Sequence, residues 1–117
     1  MKILNNEIFK IHAGFCKTLA NSSRLIMITA LEKTEMTVGE LAELLDLPIA
    51  NVSQHLKLLR DKDIVSFRKE GQKIYYSLSD PRLVEACDKI RNIIIDLYKK
   101  RGKIISGEIK RDDLISE

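Results

Sequence analysis

Four polar side chains at helical spacing, Asn51, Ser53, Gln54 and Lys57, are the groups of this chain best placed to do recognition chemistry. Short amides and hydroxyls on one side of a helix match the donors and acceptors that base pairs present in the major groove. Asn51 and Gln54 can pair bidentately with adenine, and Lys57 can reach guanine or a phosphate. Ala50, His55 and Arg60 lie on the same segment, off the apolar stripe formed by Val52, Leu56 and Leu59. His55 beside Leu56 reads as a structural or phosphate-contacting histidine rather than a metal ligand. Further along, Arg68, Lys69, Gln72 and Lys73 cluster around Gly71. A two-stranded tip would carry them to the minor groove or to phosphates, with Tyr75 partly exposed beside it. Any one of these residues alone is ordinarily solvated surface; their combination points to DNA.

The soft donors are few. Cys16 and Cys87 are the two cysteines of the chain, and both fall on or beside apolar stripes, as small buried hydrophobes do. They are also a candidate thiol switch, able to form a disulfide, a mixed thiol adduct or part of a metalloid site. His12 lies four residues before Cys16 on a helical pattern and could add a ligand. No Ser/His/Asp grouping, phosphate loop or paired acid–base constellation stands out, so the sequence does not read as an enzyme, and no cofactor is implied.

Composition agrees with a folded domain. The chain has 117 residues, 44% of them hydrophobic and 32% charged, the balance of a soluble globular protein. No apolar run approaches the ~20 residues of a membrane span. The opening residues turn polar too soon for a signal peptide, and two cysteines do not make a disulfide scaffold; both predict a cytoplasmic protein. The total of 20 basic against 17 acidic residues is uninformative until it is divided along the chain. Residues 48–79 carry 6 basic and 3 acidic groups, a net +3 that equals the surplus of the whole chain. The charge is therefore concentrated on the stretch that holds the candidate contacts.

The elements that must position these residues follow from periodicity and capping. Ile8, Ile11, Phe15 and Leu19 predict a helix over residues 6–20 with Asn5 or Asn6 as cap. Ser22 caps a second helix to about Lys33, with Leu25, Ile28 and Leu31 inward. Thr37 and Glu40 form a capping box that opens a short helix bearing Leu41, Leu44 and Leu45. Leu47-Pro48 ends it, because the residue before proline disfavours the helical region, and Pro48 suits the first turn of the next helix, over 48–62. Two helices joined so closely make a helix-turn-helix. Segments 64–69 and 73–78 flank Glu70-Gly71-Gln72 as a hairpin. Ser79-Asp80-Pro81 then opens a last helix with Leu83, Cys87, Ile90, Ile94 and Leu97 on one stripe, widened by Val84 and Ile93, and Gly102 as its stop. The expected fold is mainly α with a β-hairpin wing: one winged helix-turn-helix domain over 1–102, followed by a polar tail or short extra helix over 103–117.

The last helix is more apolar than so small a core can cover, which predicts a two-fold partner. The residues expected at that interface are Ile8, Ile11 and Phe15 from the first helix and Leu83, Cys87, Ile90, Ile94 and Leu97 from the last.

Three spaced motifs resemble those of arsenic-repressor-type (ArsR/SmtB) regulators. Phe15-Cys16-Lys17-Thr18-Leu19-Ala20-Asn21-Ser22-Ser23-Arg24-Leu25 is similar to the family's approach to its second helix, Val52-Ser53-Gln54-His55-Leu56-Lys57-Leu58-Leu59 to its recognition helix, and Gly71-Gln72-Lys73-Ile74-Tyr75-Tyr76-Ser77-Leu78 to its wing. The resemblance covers roughly residues 8–98. It implies a homodimeric repressor, paired through its first and last helices, that reads a palindromic operator and is released by an effector. The family's metal ligands do not carry over. Residues 37–47 contain no cysteine for a thiolate site. Asp80 matches the first ligand of a zinc-type site, but Arg82 stands where the next histidine would be, Ile93 falls at a distal ligand position and Asp96 is the one oxygen donor nearby. No metal is therefore expected, and the effector is left as a small molecule, a thiol-reactive species or a metalloid. The alternative reading is an effector-independent winged-helix DNA-binding or protein-interaction module.

Overall fold

Capping side chains mark helix starts, and three residues with positive φ, Asp46, Asp63 and Gly102, follow helix ends. The computed structural model describes residues 6–102. Its element order is α1 (Asn6–Leu19), α2 (Ser22–Lys33), α3 (Val38–Leu45), α4 (Ile49–Asp61), β1 (Val65–Glu70), β2 (Lys73–Leu78) and α5 (Arg82–Lys100). This is the expected winged helix-turn-helix, with a two-stranded antiparallel sheet as the wing. The chain divides into two compact units, one ending at Ser79 and one starting at Asp80. Asn5 and the tail over 103–117 lie outside the described residues.

In the first unit the core is Met27, Ile28 and Leu31 of α2, Leu41 and Ala42 of α3, Val52, Leu56 and Leu59 of α4, and Ile64, Val65 and Tyr76 around the wing. The α4 stripe is buried as its spacing predicts. One neighbouring expectation needs correction. Leu25 is only half-buried, while Met27 is fully buried, because positions 27 and 31 are four apart and share the helix face turned to the core. Of the leucines that α3 bears, Leu41 is buried and Leu44 is 52% exposed, because an eight-residue helix turns only one narrow face to its support.

Helix boundaries differ in detail too. Asn21, not Ser22, caps α2, its side-chain oxygen accepting from the Arg24 amide at 3.1 Å. The α3 capping box forms as expected, with the Thr37 amide donating to Glu40 at 2.8 Å and the Glu40 amide to Thr37 at 3.2 Å. Leu47-Pro48 does not end α3. Asp46 does, in the left-handed region at φ 54°, where a short polar residue is tolerated better than most. Pro48 is then the N-cap of α4 rather than part of its first turn. The connection between α3 and α4 is thus three residues, as tight as a helix-turn-helix requires.

The wing closes more tightly than a three-residue loop. Glu70 pairs with Lys73, leaving Gly71-Gln72 as a two-residue turn, and Gly71 has the φ of +62° that such a turn needs. A further bridge fixes the wing to the segment before α3: the Met36 amide donates to the Tyr76 carbonyl at 3.1 Å and the Tyr76 amide to the Met36 carbonyl at 2.8 Å.

In the second unit Pro81, not Asp80 or Ser79, stands at the N-cap of α5 and is not part of its first turn; the Asp80 side chain, one residue earlier, accepts from the Arg82 amide at 2.9 Å. Gly102, at φ +77°, follows the helix end, as predicted for its stop. Val84, Cys87 and Ile95 are buried, but Ile90, Ile93, Ile94 and Leu97 are exposed. Ile95 was not on the expected stripe: the helix is apolar on two sides, and its spacing alone does not say which is covered within the chain.

Candidate nucleic-acid interface

The buried α4 stripe leaves Ala50, Asn51, Ser53, Gln54 and Lys57 exposed. Ser53 meets the wing residues Gln72 and Lys73 at an open groove of about 390 Å³, also lined by Thr37, Val38, Ile74 and Tyr76. The two parts of the site read from sequence, helix and wing, therefore share one concave surface. Thr37 is an addition: it lines the groove because the capping box places the start of α3 there. Lys69 is exposed on the wing.

Three of the expected contacts are engaged elsewhere. Arg60 stacks over the Phe67 ring, 4.5 Å from its centroid. Arg68 lies over Tyr75 at 4.7 Å and donates from Nε to both carboxylate oxygens of Glu35, at 3.0 and 2.9 Å, and from Nη1 to Glu70 at 3.2 Å. These bonds raise the affinity of Arg68 for its proton and lower the pKa of Glu35 below the ordinary carboxylate value. His55 is half-buried, and its Nδ1 accepts from Arg24 Nε at 3.1 Å. Burial and the neighbouring guanidinium both lower its pKa. Neither Arg24 nor Glu35 was assigned a role from sequence; each lies more than thirty positions from its partner, beyond any periodic signal.

Asp80, the one residue matching a family metal ligand, is taken up by Arg82, whose Nη2 lies 2.6 Å from Oδ2. Its pKa is held down at about 2 by the side-chain and backbone bonds of Arg82. Among the described residues no three His, Cys, Asp or Glu side chains gather as a metal site, and no helix is long and apolar enough to cross a membrane. Cys16 is exposed and Cys87 buried, so only Cys87 has the environment of a small core hydrophobe. Of the residues expected at a two-fold interface, Ile8, Ile11, Ile90, Ile94 and Leu97 are exposed, Phe15 and Leu83 half-buried, and Phe9 adds a further exposed ring.

Residues 21–66 match the model of the bacterial regulatory protein arsR family. The chain is 41% identical over 93 residues to the nodulation protein NolR of Rhizobium meliloti, covering 80% of this chain and 73% of that protein. It is 38% identical over 88 residues to a transcriptional repressor SmtB homolog of Synechocystis, covering 75% of this chain and 58% of that protein. The crystal structure of Mycobacterium tuberculosis Rv0081 superposes with a TM-score of 0.75 at 30% identity, over 83% of this chain and 98% of that one.

Proposed function

The chain belongs to the arsR family of bacterial regulatory proteins and is a transcriptional regulator with a winged helix-turn-helix, and from that premise we propose that it acts in the cytoplasm as a homodimeric repressor. Two copies of α4, related by a two-fold, read the half-sites of a palindromic operator about 34 Å or a multiple of that apart. The observation that carries this reading is the groove at which Ser53 of α4 and Gln72 and Lys73 of the wing converge. The exposed α4 face offers Asn51, Gln54 and Lys57 to base edges; Lys69 and Lys73 take phosphates, and Thr37 gives a hydroxyl to the same strand. The exposed isoleucines of α1 and α5 supply the apolar surface for the partner. The domain runs over 1–102.

Cys16, the exposed thiol, is the group that an oxidant or metalloid effector reaches first. Oxidation that leaves DNA affinity unchanged, with the thiol state followed by mass spectrometry, assigns release to another effector.

The deciding experiment is titration of fluorescent DNA from upstream of the chain's own gene against random duplex at physiological salt. A preference of at least ~10³-fold is expected. Equal affinity for both would reject sequence-specific repression.

A further inference from the structure

Arg24 is the side chain that joins three helices of the first unit. Its amide is held by the Asn21 cap of α2 at 3.1 Å. Its Nη1 donates to the Thr18 carbonyl at 2.9 Å, one of the last carbonyls of α1, which have no partner within that helix. Its Nε donates to His55 Nδ1 on α4 at 3.1 Å. One planar guanidinium thus fixes the end of α1 and the flank of α4 in a single geometry, using a fork whose bonds are rigidly spaced.

The location of His55 gives that bond its effect. Val52, Leu56 and Leu59 pack α4 against its support, and a hydrogen bond off that stripe adds a directional restraint on roll about the helix axis. The outer side chains of a helix lie about 5–6 Å from its axis, so a roll of ~10° moves a base-reading atom by ~1 Å. The useful range of a hydrogen bond is only about 0.5 Å wide. A directional bond off the apolar stripe is what holds Asn51 and Gln54 within that range, and among the described residues Arg24–His55 is the side-chain hydrogen bond that reaches α4 from another element.

We infer that Arg24 is a positioning residue for DNA recognition: through His55 it fixes the roll of the recognition helix relative to α1, without touching DNA itself. The inference rests on the DNA-binding reading above. Because α1 carries Ile8 and Ile11 on its exposed side, the same bridge ties the orientation of the recognition helix to the helix offered to the partner copy. It also reassigns His55, expected from sequence as a DNA contact, to the support of the contacts beside it.

The test is a double-mutant cycle on a duplex that the wild-type protein selects from a random pool. Arg24→Ala and His55→Ala are each expected to weaken binding to that duplex about ten-fold, and the double variant no more than either single one, since both remove the same bond. His55→Asn, whose amide oxygen stands near the position of Nδ1 and can accept from Arg24, is expected to return affinity to within about three-fold of wild type. Relative affinities for singly substituted duplexes should flatten in Arg24→Ala while the salt slope stays unchanged, and thermal unfolding confirms that each variant is folded. Additive losses, a reduced salt slope in His55→Ala or no rescue by asparagine would make His55 a direct contact and overturn the inference. Failure of the wild type to enrich any sequence would overturn the DNA reading itself, and this with it.

Discussion

Arg68 and Glu35 form a two-pronged ion pair in which the guanidinium reaches both carboxylate oxygens, with Nη2 adding a contact of 2.9 Å to Oε1. The pair spans from the wing to the segment before α3, beside the Met36–Tyr76 bridge. Arg68 is thereby paired with a carboxylate, although its position near the tip predicts a contact to phosphate. Exposed on both sides, the pair adds little to stability; its effect is to orient the wing.

That arrangement separates two neighbouring basic residues by experiment. Lys69 is exposed, and among the described residues no ring or carboxylate holds it in place, so Lys69→Ala is expected to weaken binding to all sequences and lower the salt slope by about 1. Arg68→Ala is expected to leave the slope unchanged, since no counterion is released by a cation already paired with Glu35. Equal slope changes in the two variants, measured by titration at several salt concentrations, would place Arg68 on the DNA.

Gln54 is exposed on the outward face of α4, where its amide can donate and accept at once. Gln54→Ala is expected to cost about 1–3 kcal/mol on the preferred duplex and to relax preference at the contacted position, with little change on random DNA. A uniform loss across sequences would make it a backbone contact.

Local signals in the sequence were sufficient for the architecture. The α4 stripe of Val52, Leu56 and Leu59, the Thr37–Glu40 capping box and the glycine of the wing turn all act over a few residues, so spacing alone locates them. The engagement of His55, Arg60 and Arg68 was not legible. Each pairs with a residue that only the tertiary fold brings near, and a polar side chain looks the same in sequence whether it faces DNA or a neighbour. Asp46 escaped notice because nothing marks a non-glycine residue for the left-handed region before the turn is built.

His55 gives the fold a pH dependence of definite sign. Its folded pKa lies below the ordinary 6.5 through burial and Arg24, so the unfolded chain binds the proton more readily. The stabilisation is fully present above 6.5 and is lost as pH falls from there toward the folded value. Denaturant unfolding followed between pH 7.5 and 5 should show this loss in the wild type and a flatter profile in His55→Asn. Parallel profiles would remove His55 as the source.

Leu56 is 1% exposed at the centre of the α4 support. Leu56→Ala removes buried methyl groups and leaves a cavity, at an expected cost of 2–5 kcal/mol in chemical denaturation. DNA binding at low temperature should weaken along with it, because the stripe that seats the recognition helix is lost. A cost below about 1 kcal/mol would mean that the core around α4 collapses to fill the space.

Ile90 is a sharper probe of the proposed two-fold interface than Ile94. At 57% against 37% exposure, an aspartate at position 90 meets water in the single chain and is desolvated only when a partner covers it. Burying an unpaired carboxylate is costly. Ile90→Asp is therefore expected to yield a folded monomer, with thermal unfolding measured against the wild type at matched concentration and mass read by sedimentation equilibrium. Its affinity for a palindromic duplex should drop to that for a single half-site, because the second α4 is no longer delivered with the first. An intact dimer would move the interface off this face of α5.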